Sequence, residues 1–414
     1  MNQKVGIWLI GAYGNVATCT VLGILALKHN KTSETGLVSS LPEFKDVPFA
    51  NLSDIVIGGH DIRKSDYYSE ALKFHEQNNC IDLRLIDLLE PELKKASNNI
   101  KTGFTISDPV SAKFASNGAA ETNTAAQIVK SIQNDLLLFQ KTNKLKTVVV
   151  INLASAEPSI DEGLHELSKR EFVKLITRNN LDRLRASLLY AYSALDAGFP
   201  YVNFASSTGS SINALNQLAL ERKVPHFGRD AKTGETLVKT VLAPMFRVRN
   251  LDVMSWEGHN ILGNRDGYVL TNPDNKKEKV SNKNGVLRDL LKKQDGHFGV
   301  RIDYVPSLSD WKTAWDFIHF KGFLGVKMNL QFIWQGCDSI LAAPLVIDLL
   351  KWAELSYRSG LKGPMHHLAF YFKAPYCVKD HNLMNQFDGL VKFAKTIGFV
   401  SEARTKKLRL TVRA

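Results

Sequence analysis

Residues 5–10 read Val-Gly-Ile-Trp-Leu-Ile, and after Gly11 a second, longer apolar stretch runs from 15 to 28. A short continuous run, a glycine and a longer run predict a strand, a turn and a helix in that order. The same reading places strands at 54–57, ahead of Gly58 and Gly59, and at 147–153, where Val148, Val149, Val150 and Ile151 stand without alternation. Strands with no polar face suit a parallel sheet covered on both sides. Helical patterns at 124–140 and 182–197 complete the unit. The first 205 residues are therefore expected to form a Rossmann-like, doubly wound α/β domain.

Beyond about residue 225 the rhythm changes. Val326, Met328, Leu330, Phe332 and Trp334 alternate with Lys327, Asn329 and Gln331, and Val300, Ile302 and Tyr304 alternate in the same way. A period of two predicts strands with one buried face, hence an antiparallel sheet whose other face can pack on helices or on another subunit. A long apolar helix is expected at 339–355. The stretch 271–283 carries Lys276, Lys277, Lys279 and Lys283 among turn residues and reads as a loop or hairpin, while 406–414 reads as a peripheral strand or loose end.

At 414 residues, 44% hydrophobic and 23% charged, the chain has the composition of a folded globular protein with room for two cores. Lysine and arginine total 53 against 41 acidic residues, a net +12 that favours an anionic partner, either a phosphorylated metabolite or nucleic acid. No aromatic-studded basic patch or recognisable binding module supports nucleic acid. Cys19, Cys80, Cys337 and Cys377 stand far apart, without a C-x-x-C pair or Cys/His spacing suited to zinc. That pattern predicts reduced thiols in a cytoplasmic protein and no metal. Residues 7–27 are mostly apolar, but Gly11, Gly14 and Asn15 interrupt them and no cleavage site follows, so neither a signal peptide nor a membrane span is expected.

The turn Gly11-Ala12-Tyr13-Gly14-Asn15-Val16-Ala17 has a G-x-x-G-x-x-A arrangement between strand and helix. Glycines there let backbone amides approach a pyrophosphate at a helix N-terminus; the other reading is a tight turn with no ligand. The second strand leads into Gly58-Gly59-His60-Asp61, where the carboxylate suits the hydroxyls of an adenosine ribose, or else caps a helix. A carboxylate would repel a 2′-phosphate and so favours NAD, against which Arg63 and Lys64 follow closely. Residues 228–234 and 262–267 are polar and glycine-punctuated, apt for a sugar or phosphate.

In order along the chain, the glycine turn, Gly58 to Ile62, 228–236, 262–267, Lys279 with Lys283, Asp310-Trp311-Lys312, Cys337-Asp338-Ser339-Ile340-Leu341-Ala342-Ala343-Pro344 and Lys373-Ala374-Pro375 resemble the myo-inositol-1-phosphate synthase (inositol-3-phosphate synthase) family. The resemblance implies conversion of D-glucose 6-phosphate to an inositol monophosphate with NAD as cofactor, by oxidation at C5, enolisation, aldol closure between C6 and C1, and reduction. It implies Lys279 and Lys373 as the pair serving C5, Lys312 and Lys283 as partners of the carbonyl oxygen and phosphate, and Asp310 and Asp338 as the carboxylates that hold these lysines. Ser206, Asn264 and Asp266 would contact the sugar phosphate, and Gly11, Tyr13, Gly14, Asn15, Asp61, Ala154, Asp230 and Asp338 would line the NAD site. It also implies an NAD-binding domain over 1–207, an inserted catalytic and oligomerisation α+β domain over 208–334, a return to the first domain over 335–414, and a homotetramer. Three positions depart from the family pattern: Tyr13 replaces a glycine, Ile261 stands where a histidine is usual, and 205–211 lacks a proline. These leave open a cyclase for another sugar phosphate, or a catalytically silent NAD-binding relative.

Overall fold

The computed structural model describes residues 4–116, 123–293 and 295–411, without the side chains of 278, 281–284 and 398–411. Its larger sheet has seven strands: β1 (Val5–Ile10), β2 (Ile55–Asp61), β3 (Ile100–Thr102), β4 (Val148–Asn152), β5 (Tyr201–Asn203), β6 (Pro225–Gly228) and β11 (Gly363–Pro364). They lie in the order β11-β6-β5-β4-β1-β2-β3, and every pairing is parallel. The unbroken apolar runs of β1 and β4 are buried residue by residue, because both faces of the sheet are covered. Helix α1 (Asn15–Lys28) lies on one face and α2 (Ala125–Thr142) with α3 (Ala186–Asp196) on the other. The expected α/β unit is therefore present.

Two details of this large sheet differ from expectation. β3 is only three residues long, too short for periodicity to reveal. β6 lies beyond the expected boundary at 207 yet pairs with β5, so the chain leaves the large sheet after Gly228.

The second sheet contains β7 (Asp252–Leu262), β8 (His297–Tyr304), β9 (Trp311–Lys321) and β10 (Lys327–Cys337), ordered β10-β9-β7-β8. β9 pairs antiparallel with both neighbours, but β7 and β8 run parallel, so the sheet is mixed rather than antiparallel. The crossover from β7 to β8 passes through α4 (Arg265–Val269) and α5 (Pro273–Leu291), and a parallel pair needs such a connection. The stretch 271–283, expected as a loop, is thus mostly helix. Its residues are polar around most of the circumference, which hid the helical period. A separate core forms under this sheet from Trp256, Ile318, Phe246, Val286 and Leu287.

From β10 the chain enters α6 (Asp338–Arg358), the expected apolar helix, which packs against the core containing α1 and the large sheet. Of 406–414, expected as a peripheral strand or loose end, residues 406–411 belong to the helix Leu383–Thr411, and 412–414 lie outside the described residues. Among the described residues no helix is long and apolar enough to cross a membrane.

Candidate active site

The order of the large sheet reverses between β1 and β4, and in such sheets the crevice beyond the carboxyl ends of the strands is where ligands bind. Gly11 ends β1 with φ +78°, and a Cβ added there would stand 3.1 Å from both N and Cα of Ala154, just past β4. Only glycine fits that approach. Gly14 caps α1 without a side-chain hydrogen bond, and no acidic residue occupies the first turn, which leaves the positive end of the helix for an anion. These features open onto a cavity of ≈ 250 Å³ that Gly11, Gly14, Asn15, Asp61, Ala154 and Asp338 help to line. A pyrophosphate flanked by ribose fits this cradle.

Asp61 is buried at the end of β2 and accepts hydrogen bonds from the backbone N–H groups of Tyr13 (2.7 Å) and Arg63 (2.8 Å). Burial pushes its pKa up, against the opposing influence of Arg63. It caps no helix; the nearby N-cap is Asp66, which accepts from Ser69 N–H. Arg63 is engaged by Glu70, the Tyr13 carbonyl and Asp61, so the 2′-phosphate role raised from the sequence would have to compete with these contacts. Tyr13 does not line the cavity: its ring turns into the core edge-on to Tyr67, 5.4 Å between centroids. Because Tyr13 keeps an ordinary negative φ, the turn does not need the glycine expected there.

Across the cavity stand Lys279, Lys312 and Lys373, brought from α5, β9 and the loop after β11. Each faces an aspartate. Lys373 Nζ lies 2.8 Å from Asp230 Oδ1, Lys312 Nζ 3.7 Å from Asp338 Oδ1, and Lys279 pairs with Asp266. Burial disfavours the Lys279 ammonium, but Asp266, Asp230 and Asp338 more than offset it and hold the pKa above the ordinary lysine range. The Asp230–Lys373 pair is doubly fixed, since Lys373 N–H also donates to the Asp230 carbonyl at 2.6 Å. Ser206, Asn264 and Asp266 line the same space. Lys283 is on α5, but its side chain lies outside the described residues.

Asp310 differs from the expected role. It is fully buried and faces amides and hydroxyls: Asn15 Nδ2 (3.2 Å), Asn264 Nδ2 (2.9 Å), Ser339 N–H (2.7 Å) and Ser339 Oγ (2.9 Å) all donate to its carboxylate. It therefore ties the start of α1, the start of α4 and the start of α6 together, rather than holding a lysine.

The myo-inositol-1-phosphate synthase family model matches residues 5–395, nearly the whole chain. The chain belongs to this family. Its NAD-binding signature agrees with the cradle at Gly11, and NAD is the cofactor. Among curated relatives, inositol-3-phosphate synthase 1 of Bacteroides thetaiotaomicron is 32% identical over 90% of this chain and 89% of its own. The inositol-3-phosphate synthase of Saccharomyces cerevisiae is 26% identical, covering 87% and 75%. In three dimensions the crystal structure of inositol-3-phosphate synthase from Caenorhabditis elegans superposes with a TM-score of 0.85 at 24% identity, over 96% of this chain and 86% of that one, which shows the shared fold.

Two of the departures from the family pattern have local explanations. Ile261 alternates with buried Asn260 and Leu262 on β7 and does not line the cavity. The loop 205–211 is held without proline by Asn203 Nδ2 donating to the Ser207 carbonyl (2.6 Å) and by Glu157 N–H donating to Ser207 Oγ (3.1 Å). Asn152, Glu157 and Arg265 also line the cavity and were not singled out from the sequence. Asn152 had a signal: it is the polar end of an apolar strand, where ligand-facing groups sit in such sheets.

Proposed function

We propose that this chain is an inositol-3-phosphate synthase, converting D-glucose 6-phosphate to 1D-myo-inositol 3-phosphate. The observation that carries the reading is the set of three lysine–aspartate pairs across one cavity from the dinucleotide cradle. Bound NAD supplies a hydride acceptor and donor. Gly11, Gly14, Asn15, Asp61, Ala154 and Asp338 would hold it.

The chain's own residues manage charge and protons. Enolisation and aldol closure each place negative charge on an oxygen, and ammonium groups fixed in a partly buried site stabilise it without reorganisation. Lys279 and Lys373 serve the C5 oxygen and Lys312 the carbonyl oxygen; the phosphate role of Lys283 rests on the family resemblance alone. Their aspartates keep them oriented while the site awaits substrate, and Ser206, Asn264 and Asp266 position the sugar. We assign the large sheet and its helices, including α6 and the chain that follows it, to NAD binding, and the mixed sheet, whose β10 runs past the expected boundary at 335, to catalysis and to assembly as a homotetramer. Four free cysteines accord with a cytoplasmic location, and neither nucleic acid nor a membrane is assigned as a partner.

Incubation with glucose 6-phosphate and substoichiometric NAD, followed by product NMR, tests the reading. An inositol phosphate formed over many turnovers per NAD is expected. Stoichiometric NADH with an uncyclised product would reject it, and a different cyclic phosphate would reassign the substrate.

A further inference from the structure

Three of the four free cysteines gather behind the start of α6: Cys19 from α1, Cys80 from the loop after the helix Tyr67–Asn78, and Cys337 at the end of β10. The Sγ atoms of Cys80 and Cys337 are 3.4 Å apart although 257 residues separate them in the chain. The loop is held in place independently of the sulfurs, because Asn78 Oδ1 accepts the Asp310 N–H (2.8 Å) and the Asn78 carbonyl accepts Trp311 Nε1 (3.1 Å). Cys337 Sγ also donates to Asp310 Oδ2 at 3.3 Å. A thiol pair in contact, one member half-buried and reachable, thus adjoins the carboxylate that joins α1, α4 and α6.

We propose that Cys80 and Cys337 form a thiol modification site, oxidised to an intramolecular disulfide by a low-molecular-weight disulfide of the glutathione class, and that the oxidised protein turns over slowly. The Cys80 thiolate attacks one sulfur of the reagent, giving a mixed disulfide and releasing one glutathione thiolate. Cys337 then displaces the second glutathione, its proton passing to the Asp310 carboxylate and on to solvent. In sum, two protein thiols and one glutathione disulfide become one protein disulfide and two glutathione thiols. Asp310 loses its S–H donor, and the loop becomes covalently tied to the residue preceding Asp338, the partner of Lys312. Burial, followed by the charge of Asp310, raises the pKa of both thiols, so the reaction quickens as pH rises. Contact between the two sulfurs, rather than nucleophilicity, selects them over exposed Cys377.

The full-length protein, with NAD bound, is incubated with glutathione disulfide and analysed by non-reducing peptide mapping and by turnover of glucose 6-phosphate. A Cys80–Cys337 cross-link is expected, with turnover lowered ~10-fold or more because small displacements of catalytic groups are costly, and restored by dithiothreitol. Cys80→Ser and Cys80→Ala should both retain the untreated activity and resist the loss, while Cys377→Ser should behave as the parent. Glutathionylation without the cross-link, a cross-link that leaves turnover unchanged, or equal inhibition of the Cys80 variants would each overturn the proposal. Because the cross-link is read without an activity assay, failure of the pair to form is distinguishable from failure of the synthase assignment.

Discussion

Each of Lys279, Lys312 and Lys373 faces an aspartate across the cavity, at Asp266, Asp338 and Asp230 respectively. Methionine at any of the three keeps length and removes charge, so turnover should fall by ~10²- to 10³-fold, the usual cost of one stabilising donor. NAD affinity, measured by titration, should change little. Lys277, exposed on the same helix, serves as the control and should remain near normal. Lys276 does not serve, because its ammonium donates to the Ile302 carbonyl at 2.6 Å. A second residue gives a pH signature. Glu157 is buried and accepts the Ser187 N–H at 3.0 Å near the start of α3, and burial pushes its pKa up to about 7. The folded state therefore binds this proton more tightly than the unfolded chain. Stability should fall as pH rises from about 4.5 to about 7, by up to ~3 kcal/mol, and level off above. Glu157→Gln retains an acceptor for Ser187 and should flatten that slope in urea unfolding across the window. The lysines were legible only through the family resemblance, since a lysine by residue type alone reads as a solvated surface charge, and the partners of Asp310 were not legible at all. The resemblance implied that Asp310 holds a lysine, and only the convergence of the starts of α1, α4 and α6 on it turns it toward amides and a hydroxyl.

At the scale of elements, β1, its turn and α1 were legible because three local signals agree: a short apolar run with β-branched residues, a glycine, which the structure shows at positive φ, and a longer apolar run. Gly11→Ala places a methyl group against the Ala154 backbone in a conformation unfavourable to alanine. NAD binding should weaken ~10-fold or more, corresponding to about 1–2 kcal/mol of strain in that turn, as read by isothermal titration. An unchanged dissociation constant would place the pyrophosphate elsewhere. α5 was illegible for the opposite reason. Its buried side, with Val286, Leu287 and Leu290, lies toward the C-terminal half, while lysines and asparagines crowd the first turns that carry Lys279. The crossover it forms also explains why alternation alone mistook a mixed sheet for an antiparallel one, since period two reports one-sided burial and is silent about strand direction.

On the scale of the whole molecule, the mixed sheet has two unlike faces. Leu330 and Phe332 of β10 pack on its own core, while Ile333 (71% exposed) and Trp315 (41%), cross-strand neighbours, face outward. The alternation correctly marked an apolar strand, and two members of the alternating set, Leu330 and Phe332, are satisfied by the sheet's own core. If the outward face builds the assembly, Ile333→Glu should lower the mass seen by light scattering, and unchanged mass across several outward substitutions would move the interface. The bond pattern around Asp310 carries a consequence for ligands in solution. One carboxylate is shared by Asn15, at the cofactor end of α1, and Asn264, at the substrate end of α4, so occupancy at either end biases the same hydrogen-bonded group. Linkage then requires the influence to be mutual: whatever factor NAD adds to sugar phosphate affinity, the sugar phosphate adds to NAD affinity. Measured in both directions by titration, the two factors should agree and exceed one, and in Asp310→Ala they should collapse toward one, leaving two neighbouring sites that fill without regard to each other.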